Sequence, residues 1–187
     1  QLSKSSPYSS AHGSIVRSLR EHLRTRDAGA ADERVRAASL LLVTDSVEGD
    51  HAAATAAKTV AHAMFPSGGG ALHVRSGVTT SADIARHIQD CPEAVLVVPA
   101  AQDLLEETAA TVSHLLDDHA TLPTPDGGHV QTGRAVVIMT ARVEASGSTM
   151  AAKKAARRAI AQKSAQLASR LGQVVVFLDP SSTPPAE

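Results

Sequence analysis

The chain has 187 residues, is 43% hydrophobic and carries a formal net charge of −1, enough for one domain with a sizeable core and too little for two. The near balance of charge excludes a global field that would draw in nucleic acid or a membrane surface. A single cysteine, Cys91, excludes an internal disulfide framework and an all-cysteine zinc site, and at 2% aromatic content the core falls to Leu, Val, Ile and Ala.

Residues 1–11 read as a Ser-rich flexible lead, 12–180 as one α/β domain and 181–187 as a disordered tail. No apolar run approaches the roughly 18 to 20 residues of a transmembrane helix. A start at Gln1 without a signal-like segment sets the expectation of an excised fragment that follows a membrane anchor.

Between Ser14 and Arg26, Ile15, Leu19 and Leu23 recur at four-residue spacing, the pattern of a one-faced helix. Leu40, Leu41, Leu42 and Val43 then run without interruption, as in a strand buried on both faces. From Asp50 the period becomes helical, with Ala53, Ala57, Val60 and Met64 on one face, and a Pro-Ser-Gly-Gly-Gly run at 66–70 stops it. A short strand at 71–74 precedes a helix that Thr80 or Ser81 caps and Pro92 ends. The third strand is 94–99. A helix over 101–119 follows, with Leu105, Ala109, Val112 and Leu116 on one side, then a turn-rich loop at 122–133. The fourth strand occupies 134–141, a long helix runs from about Thr149 to Leu171 with Gly172 as its cap, and 174–178 closes the set. Five buried strands alternating with helices predict an open, mostly parallel sheet with helices on both faces.

In such sheets ligands bind beyond the carboxyl ends of the strands. A phosphate loop after the first strand would need several glycines, to let backbone N–H groups wrap the phosphates, and a lysine for the terminal ones. The turn here is Thr44-Asp45-Ser46-Val47-Glu48-Gly49-Asp50, with one glycine, no lysine and three carboxylates. Lys58-Thr59 comes too late, in mid-helix. Asp45, Glu48 and Asp50 read as complements to the helix dipole, and they would repel a polyphosphate. The third strand ends Val98-Pro99-Ala100-Ala101, and the first acid is Asp103, so the magnesium-holding carboxylate of an ATPase is missing as well. Two losses together indicate a domain of nucleotide-binding shape with no nucleotide site of its own.

Other chemistry has little support. No G-x-S-x-G elbow follows a strand, and neither an H-E-x-x-H motif nor the His114/His119 spacing makes a metal site. Lys153, Lys154, Arg157 and Arg158 cluster on the last helix, but without interleaved aromatics they read as a solvated face or a contact for an acidic partner rather than a nucleic-acid patch. No cofactor and no metal are expected.

The C-terminal stretch KSAQLASRLGQVVVFLDP, 163–180, resembles the closing helix and strand of the torsin-interacting proteins, the lamina-associated activators of torsin ATPases. Strand one with Thr44 and its acidic helix start, Val136-Val137-Ile138-Met139-Thr140, and the segment ARHIQDCPEAVLVV are similar to theirs too. The resemblance implies a luminal AAA-like domain that has lost nucleotide binding, in the perinuclear space or endoplasmic reticulum lumen. It implies a torsin-type AAA+ ATPase as partner, with an arginine finger offered in trans to the ATP of that subunit. By that analogy Arg86, six residues before Pro92, is the finger; Arg75 and Arg142, at strand ends, are the rivals. The chain departs from the family where Gln102 replaces a cysteine and the C-terminal cysteine is absent, so the family's disulfide has no partners here and Cys91 stands alone. The alternatives are a small α/β hydrolase or transferase using the acidic loop 45–50, and a docking domain that binds without activating.

Overall fold

The computed structural model describes residues 13–17, 37–64, 71–144 and 148–177. Residues 13–17 are helical (α1). There follow β1 Ala38–Thr44, α2 Val47–Met64, β2 Ala71–His73, α3 Ser81–Asp90, β3 Val95–Val98, a 3-10 turn at Ala101–Asp103, and α4 Glu106–Leu115. A hairpin of β4 Thr121–Pro123 and β5 His129–Gln131 leads to β6 Val136–Arg142, α5 Thr149–Lys163, α6 Ala165–Arg170 and β7 Gln173–Phe177. The main sheet has five strands in the order β2-β3-β6-β1-β7, and every neighbouring pair in it is parallel.

Both faces of this sheet are covered, which is why its strands are apolar without alternation. Leu41 and Val43 point into a cluster with Ile84 and Ile88 of α3, Val112 and Leu115 of α4, Ala152, Ala156 and Ile160 of α5, and Leu167 of α6. Their neighbours Leu40 and Leu42 face the other way, with Phe177, onto Ala53, Ala56 and Ala57 of α2 and Ile15 of α1. The predicted five-stranded parallel sheet with helices on both faces is therefore the fold. Alanines line the inward sides of α2 and α5, so these helices pack with backbone close to strand. Of the first predicted helix, Ile15 is buried, whereas Leu19 and Leu23 lie outside the described residues, as do the 66–70 run, the lead and the tail.

Helix ends agree with the sequence at α3 and depart from it further along the chain. Thr80 is the N-cap of α3 in a reciprocal capping box with Asp83: the Asp83 N–H donates to Thr80 Oγ1 at 3.2 Å, and the Thr80 N–H donates to the Asp83 carboxylate at 2.9 Å. The helix predicted over 101–119 divides into the 3-10 turn and the shorter α4, because Leu104 and Leu105 are extended between them. The helix predicted over 149–171 breaks at Ser164, whose extended backbone (φ −149°, ψ 102°) closes α5 onto the Ile160 carbonyl and whose hydroxyl then accepts from Leu167 N at 3.1 Å to start α6. The loop at 122–133 is mostly the β4–β5 hairpin, turned by Thr124 to Gly128 with Gly127 at φ 86°. Buried Thr132 holds it, its hydroxyl lying 3.3 Å from the Leu115 carbonyl and 3.2 Å from that of Ala120.

Gly172 is needed, but not as a left-handed cap. Its N–H donates to Ser39 Oγ at 2.7 Å, and a Cβ there would stand 2.8 Å from the Ser39 carbonyl oxygen. Glycine permits the close approach of the α6–β7 junction to β1.

Candidate functional site

The carboxyl ends of β2, β3 and β6 open, together with the first turns of α2, onto a crevice of about 460 Å³ lined among others by Asp50, His73, Gln102, Asp103, Thr140 and Arg142. This is the place the topology reserves for a ligand. Beneath Arg142, at the end of β6, lies its register partner Thr44, the last residue of β1, which is fully buried. The Thr44 hydroxyl donates to the Asp50 carboxylate, and the same carboxylate is ion-paired with the Arg142 guanidinium. Three groups from β1, α2 and β6 thus satisfy one another across the ground a phosphate would occupy. Asp50 lies with Glu48 in the first turn of α2, where the sequence placed them to complement the helix dipole; it also bridges the strand ends, and Ser46 caps α2 by accepting from Gly49 N at 3.0 Å.

The one glycine of the turn is also committed. A Cβ on Gly49 would lie 3.0 Å from the Phe177 carbonyl oxygen and 3.3 Å from Thr44 Cβ. Gly49 is small so that α2 can begin against the ends of β1 and β7, and its N–H is turned to Ser46 rather than outward to an anion.

Beyond β3, Ala100 takes a left-handed conformation (φ 48°, ψ 56°) and its N–H donates to Thr140 Oγ1 at 3.2 Å. This redirects the chain into the 3-10 turn that carries Gln102 and Asp103. Gln102 Nε2 donates to the Asp103 carboxylate at 2.9 Å, while Gln102 Oε1 is buried without a partner. No carboxylate closes β3 itself. Among the described residues no group of three or more His, Cys, Asp or Glu could hold a metal ion, and no helix is long and apolar enough to cross a membrane. Cys91 is a free, half-buried thiol at the end of α3.

The three arginines singled out above fall in different settings. Arg142 belongs to the crevice and is engaged by Asp50. Arg75 is exposed beyond β2, in a turn whose backbone Thr79 secures by accepting from Arg75 N at 2.9 Å. Arg86 is exposed on the outer side of α3, away from the buried Ile84, Ala85 and Ile88. One arginine went unremarked in the sequence: Arg170 on α6 donates to Ser113 Oγ at 2.5 Å and pairs with Asp117 at 2.5 Å, pinning α6 to the end of α4. Its signal was the Ser-Arg-aliphatic step at 169–171, and its role is structural.

Two exposed carboxylates are held below the ordinary value of 3.8. Asp83 is lowered by the backbone N–H and then the hydroxyl of Thr80, and Asp126 by the Thr124 hydroxyl and then the Gln89 amide. A depressed folded pKa stabilises the fold above the unfolded value, and that contribution is lost as pH falls through the folded one. The start of α3 and the hairpin tip, which Gln89 joins to α3 at 3.3 Å, are therefore expected to loosen together below about pH 4. Amide exchange at Thr80 and Gly128 should accelerate there before the central strands respond; unchanged protection at both would refute this.

No protein-family model and no curated relative matches the sequence. Solved structures do. The chain is similar to S. cerevisiae Hsp104 in its ADP complex (TM-score 0.67, 17% identity), in an extended-conformation casein complex (0.68, 17%) and in a closed state with ATPγS and casein (0.66, 18%). In each case 89% of this chain is covered and 33% of the Hsp104 chain, so the chain spans about a third of the length of these neighbours. At that identity the likeness establishes the fold, which is AAA-like.

Proposed function

We propose that this domain is a non-catalytic AAA-like subunit that docks beside an AAA+ ATPase and activates it, offering Arg86 to the nucleotide bound by its neighbour. The carrying observation is the Thr44–Asp50–Arg142 bridge, which commits the charges in the wall of the crevice to one another. A domain that keeps the AAA-like frame while pairing off the charges of its own crevice has its surface left to offer. Hsp104 was solved with ADP and with ATPγS, and the proposed partner is a protein of that nucleotide-binding kind. The resemblance to the torsin-interacting proteins narrows the partner to a torsin-type ATPase and the place to the perinuclear or endoplasmic reticulum lumen. Support for Arg86 as the finger is its exposure: beyond the charge of Asp83 on its own helix, its guanidinium faces outward from the buried side of α3, and a finger must be able to reach another subunit's phosphates.

Titration calorimetry of the isolated domain with Mg-ATP is expected to give no binding heat, and phosphate release by an added torsin-type ATPase is expected to rise in proportion to the domain. Tight ATP binding by the domain alone would end this reading. Docking without a rise in turnover would leave a scaffold in its place.

A further inference from the structure

Helix α5 carries Lys153, Lys154, Arg157, Arg158 and Lys163 and no acidic residue, in a chain whose net charge is −1. Lys153 with Arg157, and Lys154 with Arg158, are like-charge pairs at i,i+4, which destabilise an isolated helix. No described acidic residue pairs with these four cations. The polar contact that is made is long, from Arg157 Nη2 to the Gly172 carbonyl at 3.5 Å. The helix is held in place by its opposite side, where Ala152, Ala156 and Ile160 are fully buried, so the positive face persists against its own repulsion.

That face borders a cleft of about 490 Å³ between α5 and the start of β7, with Lys153, Lys154 and Arg157 on one wall, Met150 at the rim and Gly172 to Val174 as the floor. Met150 is 75% exposed, an apolar and adaptable side chain left in water. The floor is the edge of the sheet: β7 pairs with β1 on one side and with no described strand on the other. Its sequence, Gln173-Val-Val-Val-Phe177, has none of the charges or prolines that normally blunt an open edge.

We propose that this cleft binds an extended acidic peptide segment of a partner protein, which adds a strand along β7 at Gln173 to Val175 while its carboxylates meet Lys153, Lys154 and Arg157. Charge selects an anion. The stretch from Gln173 to Val175, which no described strand covers on this side, supplies donors and acceptors at peptide spacing, and Met150 with Val174 receives an apolar side chain. A nucleic-acid strand would lack its stacking partners here, because no aromatic side chain lines the cleft. This inference is independent of the proposed ATPase activation: the cleft lies on α5 and β7, and Arg86 lies on α3.

The test is fluorescence anisotropy with a short labelled peptide of alternating Glu and Val, the same peptide N-methylated at every other amide, and a labelled oligothymidylate of equal charge, each added to the full chain. The unmodified peptide is expected to bind. Its affinity should fall about tenfold or more in the Lys153→Glu/Lys154→Glu variant, and about tenfold on N-methylation, which leaves the charge intact and removes ladder hydrogen bonds. Thermal melting of the double variant, whose side chains lie on the outer face of α5, confirms that it is folded. Absence of peptide binding, equal binding of the N-methylated peptide, indifference to the double variant, or tighter binding of the oligothymidylate would each overturn the proposal.

Discussion

Arg86→Ala is expected to abolish stimulation of the partner ATPase while leaving the complex with it intact. A guanidinium supplied in trans stabilises charge on the transferring phosphoryl group and is worth about three to five powers of ten in turnover where such fingers operate. The side chain lies on the exposed side of α3, with the buried contacts made by Ile84, Ala85 and Ile88, so its loss should change stability by no more than about 0.5 kcal/mol. That separates the readouts: phosphate release collapses, while the melting temperature and the docking measured by calorimetry stay put. Arg86→Lys should fail nearly as badly, because an ammonium cannot reproduce the planar fork. Arg75→Ala is expected to retain stimulation. Arg142→Ala should act differently again, lowering stability by leaving the Asp50 carboxylate without its cation in a half-buried position. Full stimulation by Arg86→Ala would remove the finger from α3 and leave Arg75 and Arg142 as the candidates.

The central strands were legible because they are covered on both faces and so read as unbroken aliphatic runs: Leu40 to Val43 and Val95 to Val98 have no surface face to interrupt them. Helix interiors were legible for the converse reason, since one-sided burial imposes a period. Of the helix ends, the Thr80 cap of α3 was legible and the division at Ser164 was not. The Ser164 break spends one residue on two hydrogen bonds inside a sequence of otherwise strong helix formers, and nothing in the local periodicity marks it. The hairpin escaped notice because strands of three residues, Thr121–Pro123 and His129–Gln131, are too short to show alternation beside so many turn residues.

The crevice divides along the same line. Absence of a phosphate loop is a local property of the 44–50 turn and could be read directly. The bridge that replaces it could not, because Asp50 and Arg142 meet through the parallel register that sets Thr44 beside Arg142. Sequence gave three acids at a helix start, and capping was the economical account of them. The fold selects one of the three, Asp50, and gives it a strand-end arginine. Arg170 is the parallel case on the other face, reaching Ser113 across 57 residues of chain.

Gly172→Ala is expected to be the most damaging conservative substitution in the domain. The added methyl would sit 2.7 Å from Ser39 Oγ and 2.8 Å from the Ser39 carbonyl oxygen. The hydroxyl could rotate away, at the expense of the hydrogen bond it accepts from Gly172 N. The carbonyl cannot, because it belongs to β1, where Ser39 is held in register with Val137 of β6. Relief must come from moving the α6–β7 junction, just where β7 begins to pair at Leu40 with Gln173. Overpacking of a fixed core costs about 1 to 3 kcal/mol, and for a domain of this length about 2 to 4 °C of melting temperature follows from each kcal/mol. The drop should therefore be about 5 to 10 °C by calorimetry, against a smaller one for Gly49→Ala, whose tightest contact is 3.0 Å. Adding Ser39→Ala should not rescue Gly172→Ala, since it removes the hydroxyl and leaves the carbonyl in place. Full rescue by Ser39→Ala, or a Gly172→Ala melt within about 1 °C of the parent, would show that β1 and β7 are not in the contact described.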